Sequence, residues 1–194
     1  AGNAPAPLSL RINTARTSRE DYCAVLDAAA IAYERNEYAA TGLMLQESPP
    51  PQALPGFADG WFAVQDCASQ LIVDALNTLP GDRILDACAA PGGKSGAIAE
   101  ALPETEVVSL DINAARTERM RENFQRLGLS VQIVDGSIMA NEAWWDGQRF
   151  SHIVMDVPCT ATGIIRRQPD IKHRRREGDA ERFAQQSLAM LEAA

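Results

Sequence analysis

From residue 81 onward, short apolar runs alternate with helical stretches. RILDACAA, VVSLDI, VQIVDG and FSHIVMDVP are compact apolar segments that lack strict in–out alternation. Such runs belong to strands covered on both faces, hence to a parallel sheet. SGAIAEAL, NAARTERMRENFQRLG and DAERFAQQSLAMLEAA read as helices between and after them. The rhythm predicts an α/β domain with a doubly wound parallel sheet over residues 81–194. Before residue 81 the pattern differs. LSLRIN (8–13) and TGLMLQE (41–47) read as strands. Ser18 is placed to cap a helix, with Asp21 three positions on and Tyr22, Val25, Leu26 and Ala29 at helical spacing. SPPPQALPG is a turn-rich joint, and WFAVQDCASQLIVDALN (61–77) begins extended and turns helical near Asp66. The reading is a small α+β subdomain at 1–60, a connecting helical region at 61–80, and the α/β domain at 81–194.

Each predicted strand of the second domain stops at or next to an acid: Asp86, Asp111, Asp135 and Asp156. One such aspartate is ordinarily a turn or cap residue. Four in register are harder to explain by capping, because ligands of open α/β sheets sit beyond the carboxyl ends of the strands. Gly92 and Gly93 let the chain pass close to a ligand before the next helix. Asp111 follows them at about the 20-residue spacing at which an acid holds a ribose. The ligand is then a dinucleotide or an adenosyl compound. The turn lacks G-x-G-x-x-G, and Pro91 stands where a pyrophosphate cradle needs N–H donors, so an adenosyl ligand without phosphates suits it better. Lys94 either neutralises a ligand carboxylate or pairs with a strand-end acid.

Composition narrows the classes. The 194 residues carry 26 acidic and 18 basic side chains, a net charge of −8, which argues against indiscriminate nucleic-acid binding. Arg166, Arg167, Lys172, Arg174, Arg175 and Arg176 nevertheless form a basic run. A charge run is most often a solvated face. On an acidic chain, beside a predicted crevice, it favours a strip that contacts RNA phosphates. The four cysteines, Cys23, Cys67, Cys88 and Cys159, and the two histidines have no metal-ligand spacing, so neither a zinc site nor a disulfide framework is expected. Reduced thiols, with no apolar run of membrane-spanning length, point to a cytoplasmic protein. The Ala/Pro-rich opening and the uncapped last helix read as the cut ends of a longer chain; a monomer is expected.

MDVPCTATGIIRRQPDIK, together with DACAAPGGK, the LDI at Asp111 and the VDGS at Asp135, resembles the RNA 5-methylcytosine methyltransferases of the Nol1/Nop2/Sun family, nearest to the bacterial RsmB or Sun branch that acts on 16S ribosomal RNA. LRINTARTSREDY and ALPGFADGWFAVQDCASQ resemble the segment preceding the catalytic domain in that branch. The resemblance implies a Rossmann-like fold that binds S-adenosylmethionine, lacking its last strands here, and methyl transfer to C5 of a cytosine in small-subunit rRNA. It implies that Cys88, Ala89, Ala90, Pro91, Gly92, Gly93 and Lys94 surround the methionine part of the cofactor. Asp111 holds the ribose, Asp135 lies near the adenine, and Asp156 sits between methyl donor and base. Cys159 is one of two active-site thiols. In the family the attacking cysteine lies on the next strand, in a Thr-Cys-Ser element that does not occur before Ala194, which makes Cys159 the thiol that assists product release. Two rivals stand beside this reading: a nicotinamide-dependent oxidoreductase, and a non-catalytic RNA-binding or assembly protein on the same scaffold.

Overall fold

The computed structural model describes residues 6–194, so the first five residues of the Ala/Pro-rich opening lie outside the described residues. Two separate four-stranded sheets carry the chain. The first is antiparallel, in the order β2-β3-β1-β4, from β1 (Leu8–Ile12), β2 (Tyr33–Arg35), β3 (Gly42–Leu45) and β4 (Phe62–Val64). Its fourth strand comes from beyond residue 60 and pairs with β1. Helix α1 (Arg19–Ala28) covers one face, burying Tyr22, Cys23 and Leu26 against Leu10, Ile12, Leu43, Leu45 and Phe62. The Ser18 hydroxyl accepts from the Asp21 N–H at 3.0 Å and starts that helix, a cap worth about 1 kcal/mol. The stretch 61–77 is extended, then helical: Asp66 caps α2 (Cys67–Gln70), and α3 (Ile72–Ala75) follows after a break at Leu71.

The second sheet is wholly parallel, in the order β7-β6-β5-β8. Its strands are β5 (Arg83–Ala87), β6 (Glu106–Asp111), β7 (Gln132–Asp135) and β8 (His152–Met155). Successive residues of β5 point to opposite faces, and both faces are covered. Ile84 packs with Ile98, Val107, Val154 and the α3 side chains Ile72 and Val73. Leu85 and Ala87 pack with Val108, Leu110, Ile138 and Met190. Helices α4 (Gly93–Ala101) and α5 (Ala114–Leu127) follow β5 and β6. Thr117, Met120, Phe124 and Leu127 make the buried stripe of α5, at the spacing one helical face requires. Asn113 caps its start, and Gly128, at φ +72°, ends it. The short helix α6 (Ile171–Arg174) and then α7 (Asp179–Ala193) close the chain, and Met190 of α7 reaches the sheet. The strand order reverses at β5, since β6 and β7 build to one side and β8 returns to the other.

Candidate active site

A cavity of about 490 Å3 opens at the carboxyl ends of β5, β6 and β8, where that reversal leaves a crevice. Cys88, Ala90, Asp111, Asp156 and Cys159 all line it. A smaller cavity of about 180 Å3 adjoins it, lined by Asp86, Cys88, Ala89, Ala90, Pro91, Gly93, Lys94 and Asp156, with Val64 at the end of β4 and Gln65 and Ser69 just beyond it. Cys88, Ala90 and Asp156 belong to both walls.

The turn between β5 and α4 is held in a demanding shape. Cys88 has φ +70°, Gly92 has φ +91°, and the Ala90–Pro91 peptide is cis. A Cβ on Gly92 would stand 2.7 Å from Met120 Cγ and 2.8 Å from Phe124 Cζ, so only glycine lets the turn lie against α5. Asp111 is 2 % exposed and holds three donors. Its carboxylate accepts from the Ala90 N–H at 3.1 Å, the Asn113 N–H at 2.9 Å and the Arg116 guanidinium at 2.9 Å. It therefore fixes the glycine turn as well as facing the crevice. Asp86 is 1 % exposed; the Ser95 hydroxyl donates to Oδ2 at 2.5 Å, and Ser109 donates to Ser95 at 2.7 Å. Among the described residues its other oxygen, Oδ1, has no hydrogen-bond partner. Burial pushes the carboxyl up to about 6, against the opposing pull of the Ser95 hydrogen bond and the Lys94 charge.

Of the two roles open to Lys94, the structure shows the second: its ammonium pairs with Asp156 Oδ2 at 2.6 Å. Cys159 is exposed, and its sulfur accepts from the Ala161 N–H at 3.3 Å. Ala161 takes φ +57° to turn the chain back over the thiol. The Arg175 guanidinium donates to the Thr160 carbonyl, which ties the loop from the far side. Burial, then the Asp111 charge, pushes the Cys88 thiol up to about 11, so it stays protonated at neutral pH and is a poor nucleophile.

Two of the residues predicted to meet the cofactor, Asp135 and Gly92, line neither cavity. Asp135 turns away to accept from the Thr117 hydroxyl and, at 3.2 Å, from Arg121, and the Thr117 hydrogen bond holds its carboxyl below the usual range. Its neighbours Gly136, Ser137, Ile138 and Met139 reach the crevice instead. Gly92 shapes the turn from behind. In the basic run, Arg166, Arg167, Lys172 and Arg174 are exposed. Arg167 pairs with Asp66 at 2.9 Å and Arg174 with Asp170 at 3.2 Å. Arg175 is half-buried in the Cys159 loop. Sequence reasoning missed Ile112, Ile138, Met139, Gln186 and Met190 in the crevice wall. Ile112, 74 % exposed directly after a strand-end acid, carried a readable signal; the residues from α7 carried none. Among the described residues, no cluster of His, Cys, Asp or Glu could hold a metal ion.

Comparison with known proteins bears on the same residues. Residues 73–194 match the family model for 16S rRNA methyltransferase RsmB/F, and residues 1–51 match the RsmF/B-like ferredoxin-like domain. The chain is 43 % identical over 193 residues to ribosomal RNA small subunit methyltransferase B of Vibrio cholerae, and 41 % identical over 194 residues to that of Pseudomonas syringae pv. tomato. It is covered in full by both and spans 44 % and 43 % of their lengths. A methyltransferase homologue from Pyrococcus horikoshii superposes with a TM-score of 0.83 at 26 % identity, over 99 % of this chain and 61 % of that one. NSun6 from the same organism, solved with SFG, superposes with a TM-score of 0.88 at 20 % identity over all of this chain and 73 % of the other; it speaks for the fold alone.

Proposed function

The chain belongs to the RsmB/F family of 16S rRNA methyltransferases, and from that premise we propose that it serves the S-adenosylmethionine-dependent methylation of C5 of a cytosine in small-subunit rRNA. The observation that carries the reading is that Asp111 and Cys159 line one crevice, with Asp156 in the wall it shares with a second cavity.

S-adenosylmethionine, the family's methyl donor, brings a methyl group already activated on a sulfonium centre. The residues present fit it. Asp86 walls the smaller cavity and keeps a buried carboxylate oxygen without a partner, an acceptor suited to a cationic amino-acid group. Asp111 faces the larger cavity, where Ile112, Ile138 and Met139 offer apolar surface to an adenine ring.

The chemistry asked of the protein follows from cytosine. Its C5 is a weak nucleophile until a thiolate adds to C6 and makes C5 enamine-like. Asp156, held in place by Lys94 at 2.6 Å, favours that addition through a hydrogen bond on the N3 side of the base. Later the C5 proton leaves and the thiol is expelled. Cys159 is the thiol that assists this release, and Arg175 and Ala161 hold the loop that presents it. The base must be unstacked from its helix to enter. Arg166, Arg167, Lys172 and Arg174 grip the flanking phosphates.

The test is label transfer from S-adenosylmethionine to 16S rRNA by the full-length protein, with nucleoside mass spectrometry to locate the methyl. Methylcytosine is expected, and methylation on another atom or base overturns the reading. Replacing Cys159 with Ser should lower turnover by at least about 100-fold and leave a covalent RNA–protein adduct on denaturing gels. Loss of turnover with no adduct would make Cys159 the attacking group instead.

A further inference from the structure

The first sheet does more than sit beside the crevice, because one of its side chains enters the scaffold of the cofactor turn. Arg11 of β1 is 3 % exposed. Its guanidinium donates to both carboxylate oxygens of Glu100, at 2.7 and 2.9 Å, to the Gly93 carbonyl at 2.8 Å, and to the Gln65 side-chain carbonyl. Gly93 opens α4 and Glu100 stands near its end, two turns later on the same face. Helical side chains lean toward the N-terminus, so the Glu100 carboxylate reaches back toward Gly93. Between them Gly96 leaves the surface bare: a Cβ there would stand 3.0 Å from Arg11 Nη2. One guanidinium therefore lies flat along α4 and holds its first carbonyl.

Gln65 is the second arm. With its carbonyl held by Arg11, its amide nitrogen donates to the Ser69 carbonyl at 3.2 Å and lies over Gly93, where Gln65 helps wall the smaller cavity. A buried ion pair is poor evidence of stabilisation, since apolar residues of similar volume often do as well. What apolar residues cannot do is hold a backbone carbonyl and orient an amide. Building on the function proposed above, we infer that Arg11 is a positioning residue for methyl transfer: it fixes the start of α4, and through it the Cys88–Lys94 turn, from the N-terminal sheet.

The experiment compares the full-length protein with two variants, Arg11→Lys and the apolar exchange Arg11→Met with Glu100→Leu, which leaves no unpaired buried charge. Amide hydrogen exchange is followed across residues 88–96 without ligand, and S-adenosylhomocysteine affinity is titrated. In both variants exchange in that segment should quicken about tenfold and affinity should fall about tenfold, the cost of one lost charge-assisted hydrogen bond. Exchange in β3 and the melting temperature of the double variant should hold. Unchanged exchange in 88–96, or a rise spread evenly over the chain, overturns the inference and leaves Arg11 as packing. If the unaltered protein fails to bind S-adenosylhomocysteine, the functional reading falls, while the exchange data still decide the role of Arg11.

Discussion

At the scale of single residues, Asp86 separates stability from function. The unfolded chain titrates this carboxyl at its ordinary value of 3.8, whereas burial holds it at about 6 in the folded protein. Between those values the folded state keeps a proton that the unfolded state has released, so stability falls as pH rises through the window. Above it, the ionised carboxylate costs about 3 kcal/mol relative to the neutral acid. Ser95 donates to one oxygen, and among the described residues the other has no hydrogen-bond partner. Asp86→Asn should remove this pH dependence, so the variant should gain about 2 kcal/mol on the parent between pH 4.5 and pH 7. Urea denaturation at the two values checks it, and parallel pH profiles for parent and variant would show that Asp86 does not titrate as described. The same variant should bind S-adenosylhomocysteine more weakly if the lone oxygen serves the ligand. The strain at Cys88 and Ala161, both non-glycine residues at positive φ, falls on the two turns that line the crevice. Backbone strain gathers at such sites because the surrounding contacts over-determine it.

At the scale of elements, the β5–α4 turn is the most constrained joint. Gly92→Ala adds a methyl group into Met120 and Phe124 at a φ of +91°, and both faults push the same way. A loss of about 2–4 kcal/mol in chemical denaturation is expected, with a weaker cofactor affinity; a loss below about 0.5 kcal/mol would mean the turn relaxes freely. The strands of the parallel sheet were legible because each is a compact apolar run that ends on an acid, and the capped start of α1 was legible from Ser18. The strand β2 was not: Tyr-Glu-Arg has neither alternation nor length, and only its pairing with β3 makes it a strand. Nor was the break at Leu71, where the helical pattern runs on from Asp66 to 77. In the crevice, Asp111, Asp156 and Cys159 could be read because strand ends and local motifs mark them. Ile138 and Met190 could not, since they arrive from a turn and from the last helix with no local signal. The Arg11 contacts were invisible for a related reason: Gln65, Gly93 and Glu100 lie 54 to 89 residues along the chain.

At the scale of the molecule, an acidic protein is proposed to hold an acidic polymer, and local arrangement must overcome a net charge of −8. Arg167 is tied to Asp66, which joins the Cys159 loop to the first turn after the antiparallel sheet. Exposed pairs of this kind hold weakly, so a phosphate can take the guanidinium over. Replacing Arg166 and Arg167 with Ala should weaken binding of a 16S rRNA fragment and lower the slope of log affinity against log salt by about 1 to 2. An unchanged slope would make the run a solvated surface. The seam between the two sheets works in both directions. Arg11 crosses to α4, and Arg126 of α5 crosses back to the Phe57 and Phe62 carbonyls, its guanidinium 4.2 Å from the Phe57 ring centre. The strand order also has a colloidal consequence. Among the described residues, β8 pairs only with β5, so its outer backbone row is open to any extended peptide that drifts past. At high concentration, association between copies along that margin is the expected outcome, and light scattering against concentration reads it.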